Sequence, residues 1–424
     1  MALSENPGMI VEPQDARPVP IERHSASGRR RIRVLFYLFF PGGGIGRYTH
    51  ELLEHFYGID DIDIELICLP SYECREKATY HVQADLREIG HHSPLRRRLR
   101  FLIGQFVNPR RLIARAIATQ ADIVHLSNIN HLTFSQWGGL LNRSKLKVTA
   151  TAHDVRRAKA MINRRYEERQ LRAFYRRADA LFVHSQVQVA DLIDFCGVDR
   201  QRIHVVPMGQ FGYERPTGTR VELRKRFNWP LDKQVALSFG QLRDEKNLGI
   251  LISALAKFQD RCHLVVAGRG AGGRHLGIDH YRRMADYLGV ADAVTFLDGY
   301  IPEEQVADLF EASDWVALPY SRTFTSQSGV LNVAATYERP ILASAAGTFA
   351  ETLQGSDIGV LVEPDDESAL IGGVGTMLDL IDKGAQFDFA RYHREYSWRE
   401  NVRRTAAVYR KLVNINGRSM AGDG

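Results

Sequence analysis

The sequence predicts an α/β protein made of two successive doubly wound domains, each a parallel sheet sandwiched between helices. Strand-length apolar runs alternate with helical patterns along most of the chain. The alternation restarts after Gly209 to Thr219, a stretch (GQFGYERPTGT) rich in glycine, proline and polar residues. Each half also has a glycine-bearing segment after its first strand. At 424 residues the chain can bury two full cores.

Residues 1–30 hold Pro7, Pro13, Pro18 and Pro20, scattered charge and no apolar h-region, so they are expected to be a mobile tail and not a signal peptide. The first domain is expected over 31–212. Its strands fall at Ile32 to Phe40, Ile62 to Leu69, Ile123 to Leu126, Val148 to Ala152, Ala180 to Val183 and His204 to Val206. After the first of these, Pro41-Gly42-Gly43-Gly44-Ile45-Gly46 reads as a loop opening a helix from Arg47, where backbone amides can approach a phosphate or sugar. It lacks the later glycine and the acidic residue of the dinucleotide fingerprint.

Arg96, Arg97, Arg98 and Arg100 share a helical pattern with Leu95, Leu99, Leu102, Ile103 and Phe106. This reads as a basic amphipathic helix, either lying on anionic lipid or turning its apolar stripe into the core. A second basic cluster is Arg156, Arg157, Lys159, Arg164, Arg165, Arg169, Arg172, Arg176 and Arg177. Within its span only Glu167 and Glu168 answer it. It is a solvated helix face or a surface that attracts an anionic substrate or membrane. No aromatic-interleaved basic strand, zinc-finger spacing or helix-turn-helix supports a nucleic-acid partner.

The second domain is expected over 213–397, with strands at Val235 to Phe239, His263 to Ala267, Val294 to Phe296, Trp315 to Leu318, Ile341 to Ala343 and Gly359 to Val362. Gly240 to Lys246 (GQLRDEK) lies between the first of these and a helix at Leu248 to Lys257. Arg243 and Lys246 therefore stand at the carboxyl end of a strand, where open α/β sheets bind ligands. The stretch from Ser313 to Glu351 reads as strand, polar loop, helix, strand and loop. Ser328 is the expected N-cap, and Gly329 at the first helical position lets a ligand approach free backbone N–H groups. Periodicity alone leaves open both an anion site and an ordinary buried βα unit. Cations after the first strand and a Ser-Gly helix start after the fourth can face one crevice.

Composition bounds the function. The 44% hydrophobic and 25% charged content fits a globular protein, and no run reaches the roughly 18 apolar residues of a membrane span. Cys68, Cys74, Cys196 and Cys262 have no metal-ligand spacing and nothing suggests a disulfide framework, so a reducing compartment is expected, hence a cytoplasmic setting.

The ordered series Gly43-Gly44-Ile45-Gly46-Arg47-Tyr48, Ala121-Asp122-Ile123-Val124-His125, Thr151-Ala152-His153-Asp154, His184-Ser185, Val206-Pro207-Met208-Gly209, Gly240 to Lys246, Val266 to Gly270, Phe296 to Tyr300 and Gln327-Ser328-Gly329-Val330-Leu331 resembles retaining glycosyltransferases of the family-4 type. That family has the GT-B architecture, two Rossmann-like domains facing across a cleft. The resemblance implies a nucleoside-diphosphate sugar on the second domain and the acceptor on the first. It implies that Gly44, Gly46, Gln241, Arg243, Lys246, Ser328, Gly329 and Val330 bind the donor diphosphate. His153, Asp154, Thr325 and Gln327 are placed near the donor sugar, and His153, Lys246 and Arg243 carry catalysis. It implies no metal and no cofactor beyond the co-substrate, because cations and helix-start amides stabilise the leaving group. It also implies a helix, over 398–414, that crosses back onto the first domain; 415–424 is expected to be a tail.

Three departures stand out. Gln241 replaces an arginine, with Arg243 expected in its stead, and the family's two glutamates around the helix start fall on Thr325 and Val333. Ribose then needs another partner, with Glu338, Glu351 and backbone groups as alternatives. The expected activity is transfer of a hexose-type unit to a saccharide acceptor, lipid-linked at the inner membrane face, as in surface polysaccharide assembly. The opposing expectation is a non-catalytic nucleotide-sugar-binding protein on the same fold. A sugar-nucleotide epimerase would need carboxylates that the helix start does not offer.

Overall fold

The computed structural model describes residues 30–40, 42–90, 92–144, 146–156, 160–211, 215–273, 275–324 and 327–420. Expectations for 1–29, Arg157, Lys159, Thr325 and 421–424 lie outside the described residues. Among the described residues thirteen strands run in chain order: β1 Ile32–Leu38, β2 Ile62–Cys68, β3 His81–Gln83, β4 Ile123–Leu126, β5 Lys147–Thr151, β6 Ala180–Val183, β7 Ile203–Val205, β8 Gln234–Phe239, β9 Cys262–Gly268, β10 Val294–Asp298, β11 Trp315–Leu318, β12 Ile341–Ser344 and β13 Gly359–Val362.

They form two wholly parallel sheets, ordered β3-β2-β1-β4-β5-β6-β7 and β10-β9-β8-β11-β12-β13. The central strands are buried along their length because helices cover both faces. Their sequences are therefore continuous apolar runs and easy to recognise. Only β3 escaped recognition, since three residues at a sheet edge carry no periodicity.

One device recurs at the strand starts. Asp122, Asp179 and Asp314 immediately precede β4, β6 and β11. Each accepts the amide of the second residue of a neighbouring strand, from Arg33 (3.0 Å), Val148 (2.8 Å) and Val235 (2.6 Å). Each also pairs with a cation: Arg30, Lys147 and Arg220 respectively. Arg30 is thus tied to the first sheet and does not belong to the expected tail.

In each sheet the strand order reverses beside the first strand, between β1 and β4 and between β8 and β11. The crevices at such reversals, beyond the carboxyl ends of the strands, are where doubly wound sheets hold ligands. The glycine run follows β1, the cation segment follows β8 and the Ser-Gly helix start follows β11.

The last helix, Trp398–Met420, crosses back to the first domain and takes in 415–420, which lie beyond the 398–414 of the expected helix. Asn401 Nδ2 donates to the Tyr48 hydroxyl (3.0 Å) and the Pro207 carbonyl (2.6 Å), Tyr409 Oη meets His125 Nδ1 at 2.7 Å, and Arg410 grips Asp61. Gly209 is required where the chain leaves the first domain, because a Cβ there would lie 2.1 Å from the Trp398 ring. Among the described residues no helix is long and apolar enough to cross a membrane.

The helix predicted around Arg96 spans Pro94–Ala118 and is split in character. Leu112, Ile113 and Ala116 enter the core, whereas Leu95 (76% exposed), Leu99, Leu102 and Phe106 face solvent beside Arg96, Arg97, Arg98 and Arg100. The apolar stripe of its first turns is therefore not in the core. In the second basic cluster Arg156, Arg172 and Arg177 pair with Asp194, Glu168 and Asp179, so three of the cations are answered, two of them from outside the cluster's own span.

Candidate active site

A cavity of about 270 Å³ opens between the domains. Gln241, Arg243, Glu245 and Lys246 reach it from the segment after β8, and Gln327, Ser328, Gly329 and Val330 from the segment after β11. Gly44 and Arg47 reach it from the helix after β1. Asp244–Lys246 form a 3₁₀ turn, and the helix Leu248–Leu255 follows, ending before the expected Lys257.

The Lys246 ammonium donates to the Phe239 carbonyl (2.8 Å) and lies 5.6 Å from the centre of the Tyr320 ring. Burial, and then the nearby Arg243, push its pKa down to about 7. This geometry needs two glycines. Gly240, at φ 90°, would with a Cβ press on the Lys246 ammonium, and Gly268, at φ 149°, would drive one to 2.2 Å from the Gly240 carbonyl oxygen.

The helix Gly329–Thr336 aims its start at the cavity. Ser328 Oγ caps the Leu331 amide at 3.4 Å. Gly329 has nothing within 4 Å of the position a Cβ would take, as has Gly44. Of the lining cations, Arg47 pairs with Glu303 and Arg243 with Glu245, both at 3.3 Å, while Lys246 makes no ion pair among the described residues. Unpaired helix-start N–H groups and excess positive charge suit an anion.

A second cavity, about 310 Å³, lies in the first domain at the β1/β4 reversal. The helix Gly43–Phe56 separates the two cavities, with Gly44 lining one and Ile45 the other. His153 and Asp154, directly after β5, line the second cavity. His184 Nδ1 donates to the Val206 carbonyl (3.2 Å), so its Nε2 accepts from His153 Nδ1 (3.1 Å). Burial holds both rings neutral: His184 falls to about 4, and His153 lies well below the usual imidazole range, with His184 adding to the shift. Gln327 Nε2 donates to the His184 carbonyl (3.3 Å), so His184 links a residue of the first cavity to one of the second.

The family model for Glycosyltransferase Family 4 matches residues 42–209, and that for Glycosyl transferases group 1 matches residues 233–379. The chain belongs to glycosyltransferase family 4. Among relatives of this family member, the D-inositol 3-phosphate glycosyltransferase of Mycolicibacterium smegmatis is 29% identical over 239 residues, covering 56% of this chain and 54% of that protein. The Corynebacterium glutamicum protein of the same name is 29% identical over 259 residues, covering 58% and 61%. The chain thus spans little more than half the length of the curated relatives it matches. Anabaena HepE, solved in complex with UDP, superposes with a TM-score of 0.68 at 18% identity, covering 90% of this chain and 100% of that one. Sucrose-phosphate synthase from Thermosynechococcus elongatus gives 0.68 at 19%, covering 91% and 100%. The fold is GT-B, two Rossmann-like domains facing across a cleft.

Of the residues singled out from the sequence, the first cavity gathers Gly44, Gln241, Arg243, Lys246, Gln327, Ser328, Gly329 and Val330. Gly46 is not among its lining; it is buried in the helix, and its carbonyl faces the Tyr72 hydroxyl. The glycine run was read as a loop, but the helix begins at Gly43, so Gly44 presents first-turn amides. His153 and Asp154 line the second cavity and not the first. Neither proposed ribose partner lines that cavity: Glu338 meets His393 at 3.2 Å, and Glu351 accepts the Gln186 amide at 2.8 Å across the domain interface. Val333 does line it, as do Glu245 and Arg47, whose parts were not foreseen. Arg47 follows the glycine run directly, and helical spacing from Gly43 and Gly44 would have placed it on their face.

Gly329→Ala gives a sharp test of this helix start. The added methyl meets no protein atom and improves helix propensity, so thermal stability should hold or rise slightly. Affinity for a nucleoside diphosphate should fall about tenfold or more by calorimetry, because the methyl occupies space that an anion on these amides needs. Unchanged affinity would remove the helix start from the site.

Proposed function

We propose that this family-4 protein transfers a hexose-type sugar, with retention, from a nucleoside-diphosphate sugar to a saccharide acceptor. The observation that carries the reading is the convergence of Lys246, Arg243, Arg47 and the Gly329 helix start on one interdomain cavity. A departing diphosphate concentrates negative charge there, and preorganised cations and amides stabilise it most as the bond breaks. This needs no metal and no protein nucleophile. UDP-glucose is the first donor to try, since HepE was also solved with it. The test is release of free nucleoside diphosphate from UDP-, GDP-, ADP- and TDP-sugars, with and without membrane lipid extract, and with EDTA in a parallel arm. Acceptor-stimulated release that survives EDTA is expected. Tight donor binding without release under any acceptor would favour the opposing reading, a non-catalytic nucleotide-sugar binder.

That second reading draws on Val333, an apolar side chain in the cavity where the family places a carboxylate. Glu245, whose Oε1 pairs with Arg243 at 3.3 Å, is the cavity-lining carboxylate that would meet the ribose hydroxyls in the first reading.

The acceptor is proposed to be lipid-linked, at the inner face of a membrane, in surface polysaccharide assembly. Phe40 and Met161 line the second cavity and are themselves exposed (56% and 49%). The helix that supplies Phe101 and Gln105 to that cavity carries the exposed Leu95, Leu99, Leu102 and Phe106 among arginines. Apolar side chains ringed by cations suit an anionic bilayer surface. Changing Arg96, Arg97, Arg98 and Arg100 to serine should lower sedimentation with anionic liposomes at least several-fold, since each surface cation contributes about 1 kcal/mol. Sedimentation equal to the parent's would sink the membrane assignment.

A further inference from the structure

Side chains of the second domain reach across the cleft to the first at several points. Gln327 donates to the His184 carbonyl at 3.3 Å, and Glu351 accepts the Gln186 amide at 2.8 Å. Both end on backbone groups of the first domain, which its strands and helices hold in place. The contact made by Glu303 differs. Its Oε1 pairs with Arg47 Nη1 at 3.3 Å, side chain to side chain, and Arg47 also lines the first cavity. The Arg47 charge is therefore within reach of both a carboxylate of the second domain and an anion in the cavity.

The pair is suited to exchange. Its separation exceeds the about 2.7–2.9 Å of a close charged hydrogen bond, and the Glu303 side chain is 59% exposed. Exposed pairs of this kind hold weakly. A diphosphate brings more negative charge than one carboxylate and fits the guanidinium fork with two parallel bonds. Glu303 keeps a favourable place when Arg47 leaves it, as the first residue of the helix Glu303–Ala312, where an acidic side chain meets the positive end of the helix. Arg47 is steadied at its base. Its Nε lies 4.0 Å from Glu51 Oε1 one turn along the helix, and its guanidinium carbon lies 5.9 Å from the centre of the Phe211 ring. A side-chain rotation then moves the charge without displacing the turn that presents the Gly44 amides.

We propose that Glu303 competes with the donor's diphosphate for Arg47: the arginine turns from the carboxylate to the phosphates as the donor binds, and the carboxylate takes it back as the nucleoside diphosphate leaves. The assignment rests on the donor-site reading above. Glu303 acts through Arg47 and is a positioning residue, one that lowers the affinity of the site for the product that turnover must shed. A plain tether between the domains would act in the opposite sense, because a cleft closed around its ligand gains from every contact that holds it shut.

The test is calorimetry at low ionic strength on the full chain with UDP, GDP, ADP and TDP, continued with the diphosphate that the parent holds best. Glu303→Gln should raise that affinity about two- to fivefold. Arg47→Gln should lower it about tenfold. In the Arg47→Gln protein, Glu303→Gln should change nothing, because its effect passes through the arginine. A Glu303→Gln affinity equal to or below the parent's would overturn the proposal. So would a gain that persists without Arg47, which would report only the general field of a removed acid. Glu303 is exposed and glutamine matches its size, so the single variant remains informative should Arg47→Gln fail to fold. A parent that binds one of the diphosphates, with no gain in Glu303→Gln, leaves the donor site standing and sinks the exchange alone. A parent that binds none of them sinks the donor site and the exchange with it.

Discussion

Lys246→Ala is expected to lower acceptor-stimulated turnover by about 10²–10³-fold, the loss seen when one preorganised group that stabilises developing negative charge is removed. The side chain is enclosed by Phe239, Tyr320 and the Gly240 turn, and among the described residues its ammonium has a single hydrogen bond, to the Phe239 carbonyl. Two N–H bonds are thus left for an anion. Its pKa of about 7, set by burial, makes donor binding pH-dependent with a definite sign. In the unliganded protein the group loses its proton as pH rises through about 7. A bound diphosphate stabilises the ammonium and moves that loss to higher pH, so the complex holds more protons than its components. UDP affinity should therefore fall by up to about tenfold per unit as pH rises above 7, with net proton uptake on binding near pH 8. Calorimetry at pH 6, 7, 8 and 9 in buffers of different ionisation enthalpy measures both quantities. Lys246→Ala should flatten the profile. A parent affinity that stays constant from pH 6 to 9 would remove Lys246 from the diphosphate site.

How this site is assembled explains what could be read in advance. β8, β9 and β11 are buried on both faces, so their residues had to be apolar, and the loops that follow them stood out by contrast. Lys246, Ser328 and Gly329 were legible because each sits at a strand end or helix start, where local sequence fixes local geometry. Three features were not legible, for physical reasons. The glycine run became a helix turn, because glycine permits a loop without requiring one and none of its described glycines adopts a positive φ. The division into two cavities depends on the helix Gly43–Phe56 passing between the space lined by Gln327 and the space lined by His153, which is tertiary information. The solvent-facing stripe of Leu95, Leu99, Leu102 and Phe106 has the same periodicity as a core-facing one, so only the fold could separate the readings.

Trp398→Ala is expected to have the largest effect on stability. The indole is 5% exposed and packs against Tyr48, His55 and Phe211 with ring centres 5.1, 6.1 and 5.5 Å away, and its Nε1 donates to the Gln210 carbonyl at 2.8 Å. It pins the crossing helix to the first domain at the point where Gly209 leaves no room for a side chain. Truncating a buried tryptophan costs about 3–5 kcal/mol, and here it also leaves the Gln210 carbonyl unpaired. Thermal unfolding should move down by several degrees. Gly209→Ala should act in the same direction, since its methyl would need the space of the same ring. The effect should reach the chemistry through one route. Tyr48 packs edge-on against His153 and His184 at 4.6 and 5.2 Å, whereas Lys246 and Ser328 stand on the second sheet's loops. Trp398→Ala should therefore lower acceptor-dependent turnover more than UDP affinity, measured well below its own melting temperature. Equal losses in both would mean that the crossing helix holds the two domains in place and has no separate hold on the His153 side.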